Sequence, residues 1–388
     1  MDKLARADPI ARARELGAEF AAAGDEIERT RRIPEPLLTH IHEARLFRML
    51  LPRVFGGDQV APGPYMQALE EVARHDASVA WNLFVGNSST LIAPFIPAAS
   101  AGTIYADPRA VISWGPPNEC KATAVEGGYR ISGTWHFSSC CRQATWMGAH
   151  GHVVEPDGSL RLNDAGRPHI RTLLFPVEQA TLLDTWDTIG LRGTASDSYT
   201  VEDLFVPEAF TGTREDPALR QVEGPLYAFP MQGLYAVGLT GVALGCAREM
   251  LDAFVGLAGE KTPRGLSRLA EEPLVQAGVA RNEAKLGAAR AYLLETLADV
   301  YDRADDVAPI EVPDRARVRL ACSHAIHAAL EVADYVYKAA GVDAIFPGSP
   351  FERRFRDMHT LSQQIQSREA HFEAVGKVLL GVPPEVFY

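Results

Sequence analysis

The chain has 388 residues, of which 38 are basic and 50 acidic, so its net charge is −12 with histidine neutral. Hydrophobic residues make up 47% and charged residues 23%, as in ordinary globular proteins, which excludes disordered and fibrous classes. The acidic balance argues against a nucleic-acid or anionic-membrane partner, because no basic stripe is present to neutralise phosphates. The length suggests two or three domains.

Membrane and secretion signals are not expected. No charge-free run of roughly 18 apolar residues occurs, so we expect no transmembrane span. Residues 1–14 alternate charges with alanines and lack the apolar core of a signal peptide. An odd number of cysteines fits a reducing, cytoplasmic location better than a disulfide framework. They are Cys120, Cys140, Cys141, Cys246 and Cys322.

Residues 1–105 are predicted to form an α-helical domain. Ala, Glu and Arg with apolar residues at helical spacing predict a helix over 8–30. Prolines then precede a second predicted helix over 37–47. The Gly56-Gly57 turn separates that helix from a third, over 64–87.

Residues 106–215 have a β-strand pattern instead of a helical one. Short β-rich stretches alternate with turn sequences such as Gly127-Gly128 and Pro156-Asp157-Gly158. No long helical stretch separates these strands. This pattern predicts an antiparallel sandwich or barrel and gives no sign of a parallel Rossmann sheet.

Residues 216–388 return to a helical pattern. Long amphipathic stretches predict helices over 235–257, 270–304, 314–340 and 351–380, which together favour a bundle. The first of these helices carries small residues that would permit close helix packing: Gly238, Gly241 and Gly245.

Several common chemistries are excluded by missing motifs. No two glycines are separated by a single residue, so the dinucleotide fingerprint is absent, as are a P-loop and a G-x-S-x-G elbow. No histidine follows a glutamate by three residues, which a di-iron bundle requires. His324 and His327 share a helical face with Glu331, which we interpret as structural. No metal site is expected.

Three motifs, in order, resemble those of the acyl-CoA dehydrogenase superfamily. Residues 127–139, GGYRISGTWHFSS, resemble its flavin strand. Residues 190–197, GLRGTASD, followed by Val-Pro at 206–207, are similar to its G-(L/M)-R-G-(T/S)-x-S … VP segment. Residues 353–357, RRFRD, are similar to its R-x-x-R-D motif. The resemblance implies an α+β fold with an N-terminal helical domain, a central antiparallel β-domain and a C-terminal four-helix bundle.

The catalytic base of a dehydrogenase is missing from its usual place. Such an enzyme needs a carboxylate to remove the substrate's α-proton. Many members carry a glutamate nine residues after the arginine of R-D; nine residues after Arg356 this chain has Ile365. Some relatives take the base from a position near Glu249 or Ala247 here, but no motif supports that choice. A dehydrogenase with a displaced base remains an alternative.

The sequence is more similar to the flavin-dependent monooxygenases of this fold. The resemblance is carried by Trp-x-Phe-x-Ser at 135–139, by AWNLFVG at 80–86, and by segments 339–341 and 350–354. It implies an oxygenase component that receives reduced FMN or FAD from a separate NAD(P)H:flavin reductase. By the same resemblance, reduced flavin and O2 would form a C4a-hydroperoxide, which would oxygenate a small aromatic substrate held in a water-free pocket.

By this resemblance Ser139 would hydrogen-bond the flavin near N5, through its hydroxyl or backbone amide. Strand alternation would put Trp135, Phe137 and Ser139 on one face, and Trp81 with the two aromatic residues would line the flavin or substrate pocket. The predicted cofactor set further includes Ser138, Arg192, Thr194, Ser196 and Gly341.

Two loops admit alternative interpretations. Arg264 and Arg268 form a compact basic cluster near a helix start, as phosphate recognition needs, although a solvated loop is equally compatible. In this fold that loop often reaches the cofactor of a neighbouring subunit, and the resemblance implies a homotetramer. Arg192 and Asp197 could instead form a simple loop ion pair. Cys140 stands where relatives commonly have glycine.

The substrate-activating histidines of phenol-hydroxylating relatives are absent. Gln364 and, approximately, Ser88 or Ser89 occupy their positions. Glutamine cannot accept a proton, although it can orient one. His359 is near in sequence but would lie on another side of the helix. An indole-like, amine or sulfur substrate therefore fits better than a phenol, and a catalytically silent scaffold is a further alternative.

Overall fold

The computed structural model describes residues 8–164, 166–214, 216–265 and 267–383. The start of the first predicted domain, the end of the third and the predicted boundary at 215 therefore lie outside the described residues. The helices before the sheet are α1 Pro9–Glu15, α2 Gly17–Thr30, α3 Glu35–Glu43, α4 Pro62–His75, α5 Ala77–Ser89 and α6 Ala98–Tyr105. The strands are β1 Ile112–Trp114, β2 Lys121–Val125, β3 Gly128–Ser138, β4 Trp146–Val154, β5 Ile170–Pro176, β6 Thr181–Leu183, β7 Asp197–Pro207 and β8 Thr211–Gly212. The helices after the sheet are α7 Met231–Glu260, α8 Pro273–Arg303, α9 Val312–Ala340, α10 Glu352–Leu361 and α11 Ala370–Leu379.

The predicted fold class is confirmed, but the sheet is mixed rather than wholly antiparallel. Its strand order is β6-β7-β3-β2-β4-β5-β8, with β1 also beside β4. β1 and β2 both pair with β4 in parallel, and the other ladders among the described strands are antiparallel. β3 folds back on one side of β2, and the chain reverses again to place β4 on the other side. Two reversals make β4 parallel to β2 without any helical crossover, which strand texture alone could not reveal.

Three of the predicted helices are interrupted. The stretch predicted over 8–30 divides at Leu16 into α1 and α2. The stretch predicted over 64–87 divides at Asp76, whose backbone is extended (φ −149°) and whose carboxylate accepts the Val79 N–H at 2.8 Å, so it caps α5. The stretch predicted over 351–380 divides into α10 and α11. The C-terminal bundle therefore has three long helices and two short ones instead of four long helices.

The helices before and after the sheet share one hydrophobic core. That core joins buried side chains such as Phe20 and Phe84 from the first segment with Phe254 and Met358 from the last. A second core, which includes Trp135, fills one face of the sheet. The predicted first and third domains are thus packed as one helical body, and the sheet lies against it.

Helix α7 runs through this shared core. By length and composition it could span a membrane, with a mean hydropathy of 1.2, but 83% of that apolar stretch is buried inside the protein. Its glycines allow α4 to approach, as the sequence predicted: a Cβ at Gly241 would lie 2.6 Å from Met66 O, and one at Gly245 would overlap Glu70 O. We therefore interpret α7 as a core helix.

We expect Gly245→Ala to lower the free energy of unfolding by about 1–3 kcal/mol, because the methyl group would force α4 and α7 apart. Gly256→Ala, on the same helix, is the matched control. No atom lies within 4 Å of a Cβ there, so alanine should raise stability by up to ~1 kcal/mol. Urea denaturation of both variants checks this, and equal effects would contradict the close approach.

Candidate active site

A chain of buried side-chain hydrogen bonds lies where α5 meets the end of β3 and the loop before β7. The indole N–H of Trp81 donates to Ser139 Oγ at 3.0 Å. Ser139 Oγ is 2.6 Å from Ser196 Oγ, which is 2.8 Å from Thr194 Oγ1. Thr194 in turn donates to Leu191 O at 2.8 Å. The structure thus brings together four predicted site residues from three distant segments, and we call this series the hydroxyl chain.

The glycines of the GLRG sequence explain why this loop can pack so closely. A Cβ on Gly190 would overlap the backbone carbonyl of Arg356 in α10. A Cβ on Gly193 would overlap Ile27 of α2. Only residues without a side chain allow the loop to press against both helices, so the loop occupies one fixed position.

Asp357 and Asn82 fasten the same loop by hydrogen bonds. Asp357 Oδ1 accepts the Leu191 N–H at 2.6 Å, and Asn82 Nδ2 donates to Gly193 O at 3.1 Å. Burial raises the pKa of Asp357 to about 7, against the opposing effect of the Leu191 N–H. Neither residue was assigned a role from the sequence, although Asp357 belongs to the RRFRD motif and Asn82 follows Trp81. Asn82 Oδ1 is buried without a hydrogen-bond partner among the described residues.

Asp197 organises the segment that leads into this loop. Its side chain is 2% exposed. Oδ1 accepts the N–H groups of Thr185 and Trp186 at 3.0 and 2.8 Å, and Oδ2 accepts Arg142 Nε at 2.8 Å. The sequence reasoning did not anticipate Arg142 or Trp186, because their roles depend on chain segments that meet only in the fold.

Arg192 does not pair with Asp197, so that alternative interpretation is wrong. Its guanidinium lies on the outer side of the loop, where it donates to Asp187 Oδ1 at 3.2 Å and to Thr188 O at 2.8 Å. It is partly exposed and takes no part in the hydroxyl chain.

Trp135 and Phe137 do not share a face, contrary to the alternation expected for β3. The pairing of β3 with β7 shifts register after Trp135, and Phe137 has a left-handed backbone (φ 59°), which together define a bulge. Trp135 is 0% exposed, donates to His150 O at 2.9 Å and stacks on Tyr199. It belongs to the sheet core, so its assignment to the cofactor pocket is wrong.

The bulge turns Phe137 outward beside the hydroxyl chain. Phe137 is 64% exposed and packs edge-on against Trp186, with ring centroids 6.3 Å apart. Ile189, in the same loop, is 66% exposed. Ser138 faces the opposite way: it is fully buried, with its Oγ 2.7 Å from Ser113 Oγ. An apolar surface next to a buried hydroxyl suits a flat heteroaromatic ring such as isoalloxazine.

Left-handed backbone at residues other than glycine is concentrated here, as is common at functional sites. Of the eight such residues in the described ranges, four lie here: Phe137 (φ 59°), Cys140 (71°), Leu191 (50°) and Ala195 (39°). Glycine adopts this backbone conformation without strain, which agrees with the glycine that the resemblance leads us to expect at position 140 of relatives. The Cys140 and Cys141 thiols are buried, and burial raises the pKa of both, so neither is a ready nucleophile.

We expect Cys140→Gly to be more stable than Cys140→Ala by about 1 kcal/mol. Both variants lose the buried sulfur, but only glycine relieves the left-handed backbone. Alanine is therefore the matched control for the lost side chain. Chemical denaturation of the two variants measures the difference, and an alanine variant of equal or greater stability would contradict the strain at this position.

The predicted catalytic residues near the C-terminus lie outside the hydroxyl chain. Gln364 falls in the break between α10 and α11, where its Oε1 accepts the Gln366 N–H at 2.6 Å. His359 Nε2 is 3.0 Å from Asp334 Oδ1 of α9. The sequence predicted that Gln364 and His359 lie on different sides of one helix. Because α10 ends at Leu361, Gln364 is not in that helix, and the comparison does not apply.

Ser88 is placed differently. It is fully buried on α5, seven residues beyond Trp81, and therefore on the same helix face about 10 Å further along the axis. It is the only one of the predicted histidine replacements that the described structure puts in line with the hydroxyl chain.

The basic cluster lies in the connection between α7 and α8. Arg264 and Arg268 are exposed, and Arg268 pairs with Glu271 at 2.8 Å. Lys261 Nζ, at the end of α7, donates to Ala340 O at 2.7 Å, beside the predicted cofactor residue Gly341.

This connection is far from the hydroxyl chain along α7. α10, which holds the loop through Asp357, crosses α7 where Cys246 Sγ lies 3.7 Å from Arg354 O. Cys246 is 15 residues before Lys261, or about 22 Å along the helix. The structure therefore does not bring Arg264, Arg268 and Gly341 together with the other predicted cofactor residues of the chain.

Comparisons with known proteins identify the family. Residues 10–102 match the N-terminal domain and residues 237–368 the C-terminal domain of acyl-CoA dehydrogenase. An indole-3-acetate monooxygenase of Pseudomonas putida is 30% identical over 374 residues, covering 95% of this chain and 92% of that protein. The oxygenase component of an FADH2-dependent resorcinol hydroxylase from a Rhizobium species is 27% identical, covering 95% and 93%.

A solved structure agrees with this assignment at the level of the fold. A 3-HSA hydroxylase from a Rhodococcus species superposes with a TM-score of 0.88 at 24% identity, covering 98% of this chain and 99% of that one. Within the described ranges, no group of three or more His, Cys, Asp or Glu side chains could hold a metal ion. The chain belongs to the flavin-dependent monooxygenases built on the acyl-CoA dehydrogenase fold.

Proposed function

We propose that this protein is the oxygenase component of a two-component flavin-dependent monooxygenase that acts on a small aromatic or heteroaromatic, indole-like compound. A separate NAD(P)H:flavin reductase would supply reduced FMN or FAD. The observation that carries the proposal is the hydroxyl chain at Ser139, close to the exposed ring of Phe137 and the partly buried ring of Trp186 that packs against it. A similar protein is named as FADH2-dependent, and another as acting on indole-3-acetate, which supports both cofactor and substrate class.

The residues present fit a flavin ring. Ser139 can place a hydroxyl oxygen at the ring edge, and Phe137 with Ile189 offers an apolar surface to one ring face. Bound reduced flavin supplies the reaction with O2. The surrounding protein excludes water: Trp81 and Ser196, which hold Ser139, are at most 8% exposed, so the ring edge would face a dry, fixed hydroxyl.

A dehydrogenase base is not placed at this site. Ile365 is 52% exposed and has no ionisable group. Glu249, on α7, has its carboxylate 3.8 Å from Arg74 Nη2. The buried carboxylates nearest the loop, Asp197 and Asp357, are occupied in holding backbone N–H groups. These observations favour oxygenation over α-proton removal.

The substrate would reach the side of the site toward Ser88, which shares a face of α5 with Trp81. We propose no histidine base there, because the contacts of His359 are with Asp334 of α9 and Phe355 of α10, and none joins it to the hydroxyl chain or to Ser88. An electron-rich substrate needs no deprotonation before oxygenation. A reaction abolished by His359→Ala and governed by one ionisation near neutral pH would contradict this part of the proposal.

We also propose a cytoplasmic homotetramer in which the loop 261–268 reaches the flavin phosphate of a neighbouring subunit. The distance of Arg264 and Arg268 from the hydroxyl chain of the same subunit supports this. Further support comes from apolar residues exposed between α9 and α10: Val342, Ile345 and Phe346. Sedimentation velocity tests the tetramer, and Arg264→Ala with Arg268→Ala should weaken FMN binding without altering assembly.

The decisive experiment combines binding and isotope incorporation. The protein is titrated anaerobically with reduced FMN or FAD, and then mixed with indole, phenols or amines and 18O2. Incorporation of one 18O atom into a product that depends on reduced flavin is the expected result. A yellow protein bleached by an acyl-CoA would select the dehydrogenase alternative, and failure to bind flavin in either state would select a silent scaffold.

A further inference from the structure

The hydroxyl chain has a direction that its two ends determine. Trp81 Nε1–H can only donate, and Leu191 O can only accept. Each hydroxyl between them carries one proton. Thr194 gives its proton to Leu191 O at 2.8 Å, so it must accept from Ser196.

The same count fixes the remaining links. Ser196 has used its proton on Thr194, so its oxygen accepts from Ser139 at 2.6 Å. Ser139 has then used its own proton and accepts from Trp81 at 3.0 Å. A hydroxyl oxygen has two lone pairs, and Ser139 retains one of them. Ser139 is therefore left as a hydrogen-bond acceptor.

The neighbouring backbone donors are also occupied. Ser139 N donates to Phe137 O at 3.0 Å, and Cys140 N donates to Thr194 O at 3.1 Å. The other end of the hydroxyl chain is also fixed, because Leu191 O accepts a second hydrogen bond, from Trp186 Nε1–H at 3.0 Å. At the end of β3, a ligand ring can therefore find a hydrogen-bond acceptor at Ser139 Oγ. The backbone N–H groups of Ser139 and Cys140 are already used and are not available to it.

Flavin N5 reverses its hydrogen-bonding character with redox state. In oxidised flavin N5 has a lone pair and accepts, whereas in reduced flavin N5 carries a hydrogen and donates. We propose that Ser196 and Thr194 are positioning residues that fix Ser139 as an acceptor, so that the site selects reduced over oxidised flavin. This inference rests on the proposed function and adds to it the residues that set the redox preference.

The test compares dissociation constants for oxidised FMN and for dithionite-reduced FMN, measured anaerobically on the full chain. The wild-type protein should bind reduced FMN more tightly. In Ser196→Ala the Ser139 proton loses its acceptor and becomes available to oxidised N5. The preference for reduced FMN should then fall by about three- to tenfold, the worth of one neutral hydrogen bond. Thr194→Val should act in the same direction.

The matched control is Ser198→Ala. Ser198 lies on β7, two residues after Ser196, and is equally buried. Its hydroxyl bonds to Thr185 Oγ1 at 3.0 Å and to His136 Nδ1 at 2.8 Å, so it is not part of the hydroxyl chain. Its removal should leave the preference within twofold. Ser139→Ala removes the acceptor itself, so it should weaken the binding of reduced FMN without strengthening the binding of oxidised FMN.

Three results would overturn the inference. If the wild-type protein binds oxidised FMN as tightly as reduced FMN, Ser139 does not act as an acceptor that favours reduced flavin. If Ser196→Ala and Thr194→Val bind flavin with an unchanged preference, these residues do not set it, and the proposed function stands. If the wild-type protein binds neither form of FMN or FAD, the proposed function fails and the inference fails with it.

Discussion

Asp197→Ala is expected to lower the free energy of unfolding by about 3–5 kcal/mol, because it leaves a partly buried Arg142 without its inner partner and two partly buried N–H groups without an acceptor. It should also weaken flavin binding, since Trp186, which packs against Phe137, loses one of the two hydrogen bonds that it donates. Urea denaturation followed by circular dichroism measures the first effect, and anaerobic titration with reduced FMN the second.

Asp187→Ala is the control for this variant. Asp187 pairs with Arg192 in the same loop, but its side chain is 87% exposed, and exposed ion pairs contribute little. Its removal should change stability by less than about 0.5 kcal/mol. Asp197→Asn should fall between the two, because its oxygen can still accept the N–H groups of Thr185 and Trp186. A loss below 1 kcal/mol for Asp197→Ala would contradict the central role of this carboxylate.

Asp357→Asn is expected to make the protein more stable than wild type at pH 8 and to flatten its dependence on pH. Burial raises the pKa of Asp357 to about 7 in the folded protein. The folded state therefore holds a proton that the unfolded state releases near pH 4. The stabilisation from that proton is complete below about pH 4 and is lost as the pH rises toward 7 and above.

Asparagine resembles the protonated acid at every pH and keeps an oxygen to accept the Leu191 N–H. The gain at pH 8 should be about 2–4 kcal/mol, and it should vanish below pH 4. Asp76 lies close by, and burial raises its pKa to about 6, so part of the wild-type slope should remain in the variant. Unfolding curves between pH 4 and 8 measure the difference.

Asp357→Ala separates the charge from the hydrogen bond. It removes the same ionisation but leaves the Leu191 N–H unsatisfied, at a cost of about 1–3 kcal/mol throughout the pH range. A wild-type slope retained in Asp357→Asn would show that Asp357 is not the group that titrates.

The local patterns succeeded where one segment determines its own structure. Proline and glycine positions, the change from 3.6-residue to two-residue periodicity, and the GGY, GLRG and RRFRD sequences indicated the fold and the family. Gly241 and Gly245 were correctly read as points of close helix approach, because only a missing side chain permits that packing. The helix boundary at Asp76 was missed, although an aspartate before Ala-Ser-Val is a recognisable cap.

The errors have a different origin. Alternation along β3 placed Trp135 with Phe137, but a bulge against β7 separates them, and a bulge depends on the partner strand. The pairing of Arg142 with Asp197 joins residues 55 positions apart, and nothing in either segment specifies the other.

The sequence by itself determined the fold class, the family and the hydroxyl-bearing residues, because these follow from local periodicity and short motifs. Only the tertiary structure decided how Trp81, Ser139, Ser196 and Thr194 are linked, and in which direction their protons point. That direction depends on Trp81 being able only to donate and Leu191 O only to accept, at distances that exist only once α5, β3 and the loop before β7 are packed together.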